Sequence, residues 1–278
     1  MAGNNLVPGE TLVHFFDIDS ALEGQTRSWS PNTLPIRAVL NYKNAPYTQT
    51  YVSFPDIEPL LKSLSVPALV GGRIPYTLPA VLHKPSIQTE GATINDSFAL
   101  AAHLETIFPP EAGYKSIFPS GQASYALAVA VLRVFANVFA PVRPFAIPAV
   151  AKYLDERGRE YFYRTRKQMF GMALDEFEAK GEALEEAWKS FETEMGVLVK
   201  MLKGRPGAKK NRGPFFEGEN AGYADLALLG FMGWFAKNSK DDWERLMRIG
   251  DGELRKMWDA GHKWLEAEGQ NVEYEFPK

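Results

Sequence analysis

The chain has 278 residues, 45% hydrophobic and 23% charged, with a net charge of −3. That is enough apolar material for one large domain or two modest ones, and it leaves no basic footprint for nucleic acid or an anionic membrane. Cysteine is absent, which excludes zinc ribbons, disulfide scaffolds and any mechanism that uses a protein thiol.

The opening MAGNNLVPGE lacks a basic stretch followed by an apolar run, so no signal peptide is expected. No uninterrupted apolar segment approaches the roughly 20 residues that span a bilayer. The longest, around 126–139, is broken by Arg133 and Asn137. A cytoplasmic protein with no membrane partner is the expectation. Residues 12–18 are an apolar, aromatic-rich run that predicts a buried strand. Ser30-Pro31 then opens a helix, with Ser as N-cap, Pro in the first turn, and Ile36, Val39 and Leu40 on one face. Pro46 ends it. Residues 47–52 alternate as a strand, 56–64 predict a short helix, and 78–82 predict a strand with Pro79 near its start. Residues 92–94 predict another strand, and Asp96-Ser97 opens a helix through Glu105. The order is β-α-β-α-β-β-α, without a Gly-rich phosphate loop.

Beyond residues 108–114 (FPPEAGY) strand signals nearly vanish, and apolar residues recur every three or four positions. Helices are predicted over 125–139, 160–177, 184–202, 224–235 and 251–265. A domain boundary falls in the Pro109, Pro110, Gly113 cluster. Two domains follow: an α/β domain over 1–110 and an all-helical domain over 111–278. The basic segment 203–214 (KGRPGAKKNRGP) lacks interleaved aromatics and reads as a solvated loop, not a nucleic-acid patch.

Three local motifs carry a resemblance. They are Ser30-Pro31-Asn32-Thr33-Leu34-Pro35-Ile36-Arg37-Ala38-Val39-Leu40, Tyr76-Thr77-Leu78-Pro79-Ala80-Val81 and Asn95-Asp96-Ser97-Phe98-Ala99-Leu100. In this order, with an α/β half before a helical half, they resemble the cytosolic glutathione transferases. With Tyr47 and Phe54-Pro55-Asp56-Ile57, the pattern is nearest the serine-type fungal transferases related to bacterial β-etherases, the fungal-specific class A among them. The resemblance implies a thioredoxin-like N-terminal domain that binds glutathione, a helical C-terminal domain that receives the second ligand, and a homodimer.

On this resemblance Ser30 is the catalytic donor to glutathione sulfur, and Asn32 a second donor. A thiol with a pKa near 8.5 is mostly protonated at neutral pH, and lowering it by about two units requires roughly 2.7 kcal/mol of thiolate stabilisation. A hydrogen bond to a charged group contributes about 1.5–3 kcal/mol and a helix N-terminus about 0.3–1 kcal/mol, so the two together suffice. Ser30 as a plain helix cap is the competing reading, and the two roles are compatible. Tyr76, Thr77, Leu78 and Pro79 form the glutathione-binding strand. A cis Leu78-Pro79 bond would turn the Leu78 main chain toward glutathione's cysteinyl backbone, whereas without the resemblance Pro79 reads as a strand-edge proline. Asp96 and Ser97 would hold the γ-glutamyl end, or merely cap a helix. Gly222-Tyr223-Ala224-Asp225-Leu226 resembles the family's N-capping box with Gly in place of the hydroxyl residue, and is read as structural.

His14, His83, His103 and His262 form no pair at metal-ligand spacing, and no metal is expected. Arg37 and Arg133 read as surface or structural ion-pair residues. Tyr125, Phe135, Phe139 and Phe145 accompany Pro141, Pro144 and Pro148, which should break or kink the first long helix and open an apolar cleft. Tyr125 and Phe139 are the second-substrate candidates, for hydrophobic aromatic small molecules, and the competing reading is that these side chains simply fill the core. The function implied is a glutathione S-transferase acting on an aromatic electrophile, in detoxification or aryl-ether chemistry. A non-catalytic ligandin that binds aromatic or polyphenolic compounds is the alternative.

Overall fold

The computed structural model describes residues 13–69, 74–84, 92–204 and 213–274. Most of the basic segment 203–214 and the first residue of the predicted 12–18 strand lie outside them. The first half forms β1 (Val13–Ile18), α1 (Leu34–Lys43), β2 (Thr48–Val52), α2 (Ile57–Ser63), β3 (Ala80–His83), β4 (Ala92–Asn95) and α3 (Ser97–Ile107). The strand β1 pairs in parallel with β2 and antiparallel with β3, and β3 pairs antiparallel with β4. A parallel β1–β2 pair needs a crossover, which α1 supplies. This is the thioredoxin-like half that the resemblance implies.

Every residue of α1 except Asn41 is buried: Arg37 reaches Asp17 and Gln49 of the sheet on one side, and the helix Tyr223–Phe235 packs on the other. The close approach depends on Gly230, where an added Cβ would lie 2.7 Å from the Pro35 ring. The start of α1 differs from the sequence expectation. Residues Pro31, Asn32 and Thr33 make a turn, and the helix begins at Leu34 with Pro35 in its first turn. The Ser30 carbonyl accepts from the Thr33 and Leu34 amides at 3.2 and 2.9 Å, which closes that turn ahead of the helix. Pro35, lacking an N–H, is tolerated there because the first-turn donors have no intrahelical partner.

The second half contains α4 (Gln122–Val150), α5 (Glu156–Phe170), α6 (Leu174–Phe177), α7 (Glu182–Lys203), α8 (Tyr223–Phe235), α9 (Lys240–Met247) and α10 (Glu253–Gly261). The predicted 160–177 helix is two helices, divided at Gly171, whose φ of 72° ends α5 in a left-handed cap. α9 was not foreseen. Of the break or kink expected at the prolines, no break occurs: α4 runs on through Pro141, Pro144 and Pro148. Pro148 has no N–H for the Pro144 carbonyl four residues earlier, and the Ala179 amide fills that vacancy at 2.8 Å. By length and composition α4 is also long and apolar enough to cross a membrane, although a core helix meets the same test.

The core of this half is aromatic. Phe145 stacks on Trp188 at 5.0 Å, and Phe191 stacks on Phe235 at 5.5 Å. Asp225, buried at the start of α8, accepts from the Gly222 and Phe216 amides, both at 2.8 Å, so the reduced capping box is completed by main chain. Burial pushes its carboxyl up to about 7, against those two donors.

The chain end corrects the all-helical description of residues 111–278. Gln270–Asn271 form β5, parallel to β2, so the sheet order is β4-β3-β1-β2-β5. Polar groups of the first half hold this segment. Asn41 donates to the Trp264 and Glu266 carbonyls, both at 2.8 Å, and Gln49 donates to the Gly269 carbonyl at 2.9 Å.

Candidate functional site

Arg37 organises the first wall of the site. Its guanidinium is fully buried and pairs with Asp17 Oδ2 at 2.8 Å while donating to Gln49 Oε1 at 2.6 Å. The structural role expected for Arg37 is what the contacts show. The same Asp17 oxygen accepts from Ser28 Oγ at 2.8 Å, and Trp29 Nε1 donates to the Asp19 carbonyl at 3.1 Å. Two consecutive side chains therefore anchor the segment leading to Ser30 against the end of β1. Such directional bonds in a low-dielectric interior leave the segment little freedom.

Ser30 is 2% exposed and lies on the wall of a cavity of about 610 Å³ between the two halves. Its Oγ accepts from the Asn32 amide at 3.3 Å, and no acceptor for its own hydrogen lies among the described residues. It is not the side-chain cap of α1, because the turn over residues 31–33 separates it from the helix. Asn32, Tyr76 and Thr77 line the same cavity. Leu78 and Pro79 follow, buried and joined by a cis peptide bond.

Asp96 and Ser97 lie outside this lining. Asp96, at φ 79°, accepts from the Phe98 and Ala99 amides at 3.0 and 3.1 Å and caps α3. Ser97 shares a hydrogen bond with the buried Tyr223 phenol, whose pKa burial raises. The capping role weighed for this pair is therefore present.

The second wall comes from α4, α5 and α8. Phe139, Arg143, Ile147 and Val150 face the cavity from α4 at helical spacing. Phe139 stacks on Trp234 at 5.7 Å. Tyr125 is not brought to the cavity. It sits in the first turns of α4, 41% exposed, against Phe98 and Phe118 at 5.0 and 5.6 Å. Fourteen residues of helix put Tyr125 and Phe139 about 21 Å apart, so the two cannot share a site. The α5 face adds Tyr161, Phe162, Thr165 and Arg166, none foreseen as site residues. Their one signal was the aromatic and basic run of residues 161–166 on a predicted helix.

The two walls are tied at the rim. Arg157 of α5 pairs fork to fork with Asp56, at 2.8 and 2.7 Å, and Phe54 stacks on Tyr161 at 6.2 Å. Of the histidines, His83 and His103 meet at 3.0 Å, a pairing the sequence spacing did not reveal. His14 bonds Thr48 and Thr50, and burial, with Lys84 nearby, brings its pKa down to about 4. Among the described residues no group of three or more potential metal ligands gathers.

Residues 126–264 match the family described as "Glutathione S-transferase, C-terminal domain". A "Glutathione S-transferase-like protein ustS" from Aspergillus flavus is 42% identical over 271 residues, covering 97% of this chain and 96% of that protein. Among solved structures, glutathione transferase GSTFuA3 from Phanerochaete chrysosporium superposes with a TM-score of 0.77 at 29% identity, over 92% of this chain and 98% of its own. The glutathione S-transferase CsGST63524 of Ceriporiopsis subvermispora, in complex with glutathione, gives 0.77 at 26% identity, over 91% and 98%.

Proposed function

This chain belongs to the glutathione S-transferase family, and from that premise we propose that it binds glutathione, holds its sulfur as thiolate at Ser30, and joins it to an aromatic electrophile. One observation carries the reading. Ser30 faces the cavity with its Oγ accepting from the Asn32 amide and with no acceptor for its own hydrogen among the described residues. A donated hydrogen bond to a thiolate contributes about 1.5–3 kcal/mol, the scale of a one- to two-unit fall in thiol pKa. The thiol proton leaves to solvent on binding. The thiolate then forms the carbon–sulfur bond as the leaving group departs with its electron pair.

In this reading Asn32 is the auxiliary donor, Tyr76, Thr77 and the Leu78-Pro79 main chain receive the cysteinyl part, and Asp96-Ser97 lie toward the γ-glutamyl end. Glutathione bound to the Ceriporiopsis relative supports the ligand, and the serine-type subclass is proposed on Ser30 itself. We place the domain boundary at residues 110/111. We also assign the exposed face of α4 to a second copy of the chain. Tyr125 and Val129 are 41% and 48% exposed there, and only 28% of the helix's most apolar stretch is buried. Sedimentation as a dimer at micromolar concentration is expected, and a monomer removes that assignment.

Calorimetry with reduced glutathione, followed by a steady-state assay over aryl halides, isothiocyanates and aryl ethers, tests the function. Saturable binding with turnover of one class is expected. Binding of glutathione and aromatics without turnover would make the protein a ligandin, and no binding at millimolar glutathione would remove the reading.

A further inference from the structure

We propose that the acceptor is an aromatic electrophile bearing a carboxylate or sulfonate, with its ring among the aromatic side chains of the cavity and its anionic group on Arg166 and Arg143. This rests on the transferase reading and adds the substrate's charge to it. The cavity's rings come from Phe54, Phe139, Phe162 and Trp234, surfaces that suit a flat apolar body. Two cations enter among them from different helices, Arg143 from α4 and Arg166 from α5.

Neither arginine takes part in any of the ion pairs formed among the described residues. Two other arginines of this half, neither of which lines the cavity, do find carboxylates, while Arg164 on α5 makes no ion pair among the described residues either. Arg157 on α5 grips Asp56 through both nitrogens, and Arg245 on α9 reaches Glu185 and Glu192. Among the described residues the one carboxylate lining the cavity, Glu58, is paired with Lys62 at 2.6 Å. Arg166 spends one donor on Thr165 Oγ1 at 3.1 Å and lies over the Phe162 ring at 4.2 Å. A guanidinium has five donors in a planar fork that matches a carboxylate or sulfonate.

The half-buried Arg166 carries its charge without an anion beside it, an unfavourable state that a bound anion relieves. Desolvation brings its pKa down to about 10, where it is still protonated at neutral pH. In the reaction the anionic group takes no covalent part. The thiolate forms the carbon–sulfur bond, a halide leaves with the bonding pair, and the arginines fix where the ring lies.

The test compares probes that differ in charge. Affinity for 8-anilinonaphthalene-1-sulfonate and for uncharged N-phenyl-1-naphthylamine is measured by fluorescence on the full chain and on Arg166→Met, Arg143→Met and Arg166→Lys. We expect Arg166→Met to weaken the sulfonate about tenfold or more, Arg143→Met to weaken it about threefold, and Arg166→Lys to retain most of the affinity. The neutral probe should change less than about twofold throughout, since it loses no charge-assisted bond. Equal losses for both probes would make the arginines packing residues and overturn the proposal, as would no loss for either. Loss of glutathione affinity in Arg166→Met by the same factor would assign the arginines to glutathione instead, and also overturns it.

Turnover of 4-chloro-3-nitrobenzoate and its methyl ester separates this proposal from its premise. If the ester reacts and the acid-to-ester ratio is unchanged in Arg166→Met, the anion site fails while the transferase stands. If neither reacts but the sulfonate discrimination holds, the transferase reading fails and the anion site stands.

Discussion

The two walls of the cavity are held in place by different forces. The sheet-side wall hangs on a buried polar network, in which Arg37 binds Asp17, and Asp17 in turn holds Ser28 two residues from Ser30. The helical wall rests on ring packing, with Phe139 on Trp234 and Phe145 on Trp188. Hydrogen bonds to buried charges are directional and permit one geometry, whereas apolar packing tolerates exchange of side chains of similar volume. A thiolate donor must be positioned within a few tenths of an ångström. A surface that receives a ring need not be. The same cavity therefore has a wall fixed for chemistry and a wall open to change in specificity.

The largest expected effect breaks the fixed wall. Arg37→Met leaves Asp17 buried without a cation and should reduce stability by about 3–5 kcal/mol, read from denaturant unfolding. Met195→Leu in the helical core, equally buried, should lose less than about 1.5 kcal/mol. Similar losses from the two would erase the contrast between the walls.

A smaller effect sharpens the helical wall. Phe139→Ala removes a stacked ring from the cavity and should weaken aromatic acceptors up to about tenfold. Tyr125→Ala, on the far end of α4, should leave acceptor affinity within about twofold by the same probe displacement, because no ring is lost from the cavity.

How much of this was legible depends on the range of the interactions. The β-α-β-α-β-β-α order and the Asp96 cap follow from local patterns. The Leu78-Pro79 motif was also visible, although only the resemblance made its cis bond expected. The start of α1 was misplaced by three residues because Ser-Pro looks like a cap, while the Ser30 carbonyl closes a separate turn. The strand β5 has two residues, and its pairing partner is more than 200 positions away, so no periodicity reveals it. Tyr125 and Phe139 looked alike as aromatics near the same helix, and only its length divides them. Arg143 and Arg166 were invisible as two cations of one site, since they come to line one cavity only through the packing of α4 and α5 around it.

The smallest effect is the pH dependence of stability in the wild type, where the two halves oppose each other. His14 has a folded pKa of about 4 against 6.5 unfolded, so its contribution is present above pH 6.5 and is lost as pH falls toward 4. Asp225 has a folded pKa of about 7 against 3.8, so its contribution is present below 3.8 and is lost as pH rises toward 7. Between about pH 4 and 6.5 the slopes largely cancel. His14→Gln should expose the Asp225 slope, with stability falling as pH rises across that window. A flat profile in that variant would mean that Asp225 titrates near its ordinary value.

The central claim is that Ser30 makes the thiolate, and titrating bound glutathione by its thiolate absorbance tests it most directly. In wild type the bound thiol should ionise about two units below its free value near 8.5. In Ser30→Ala it should rise by about one to two units, with activity at neutral pH falling roughly ten- to a hundredfold. A thiol pKa that does not move in Ser30→Ala would contradict the account and make Asn32 the candidate donor.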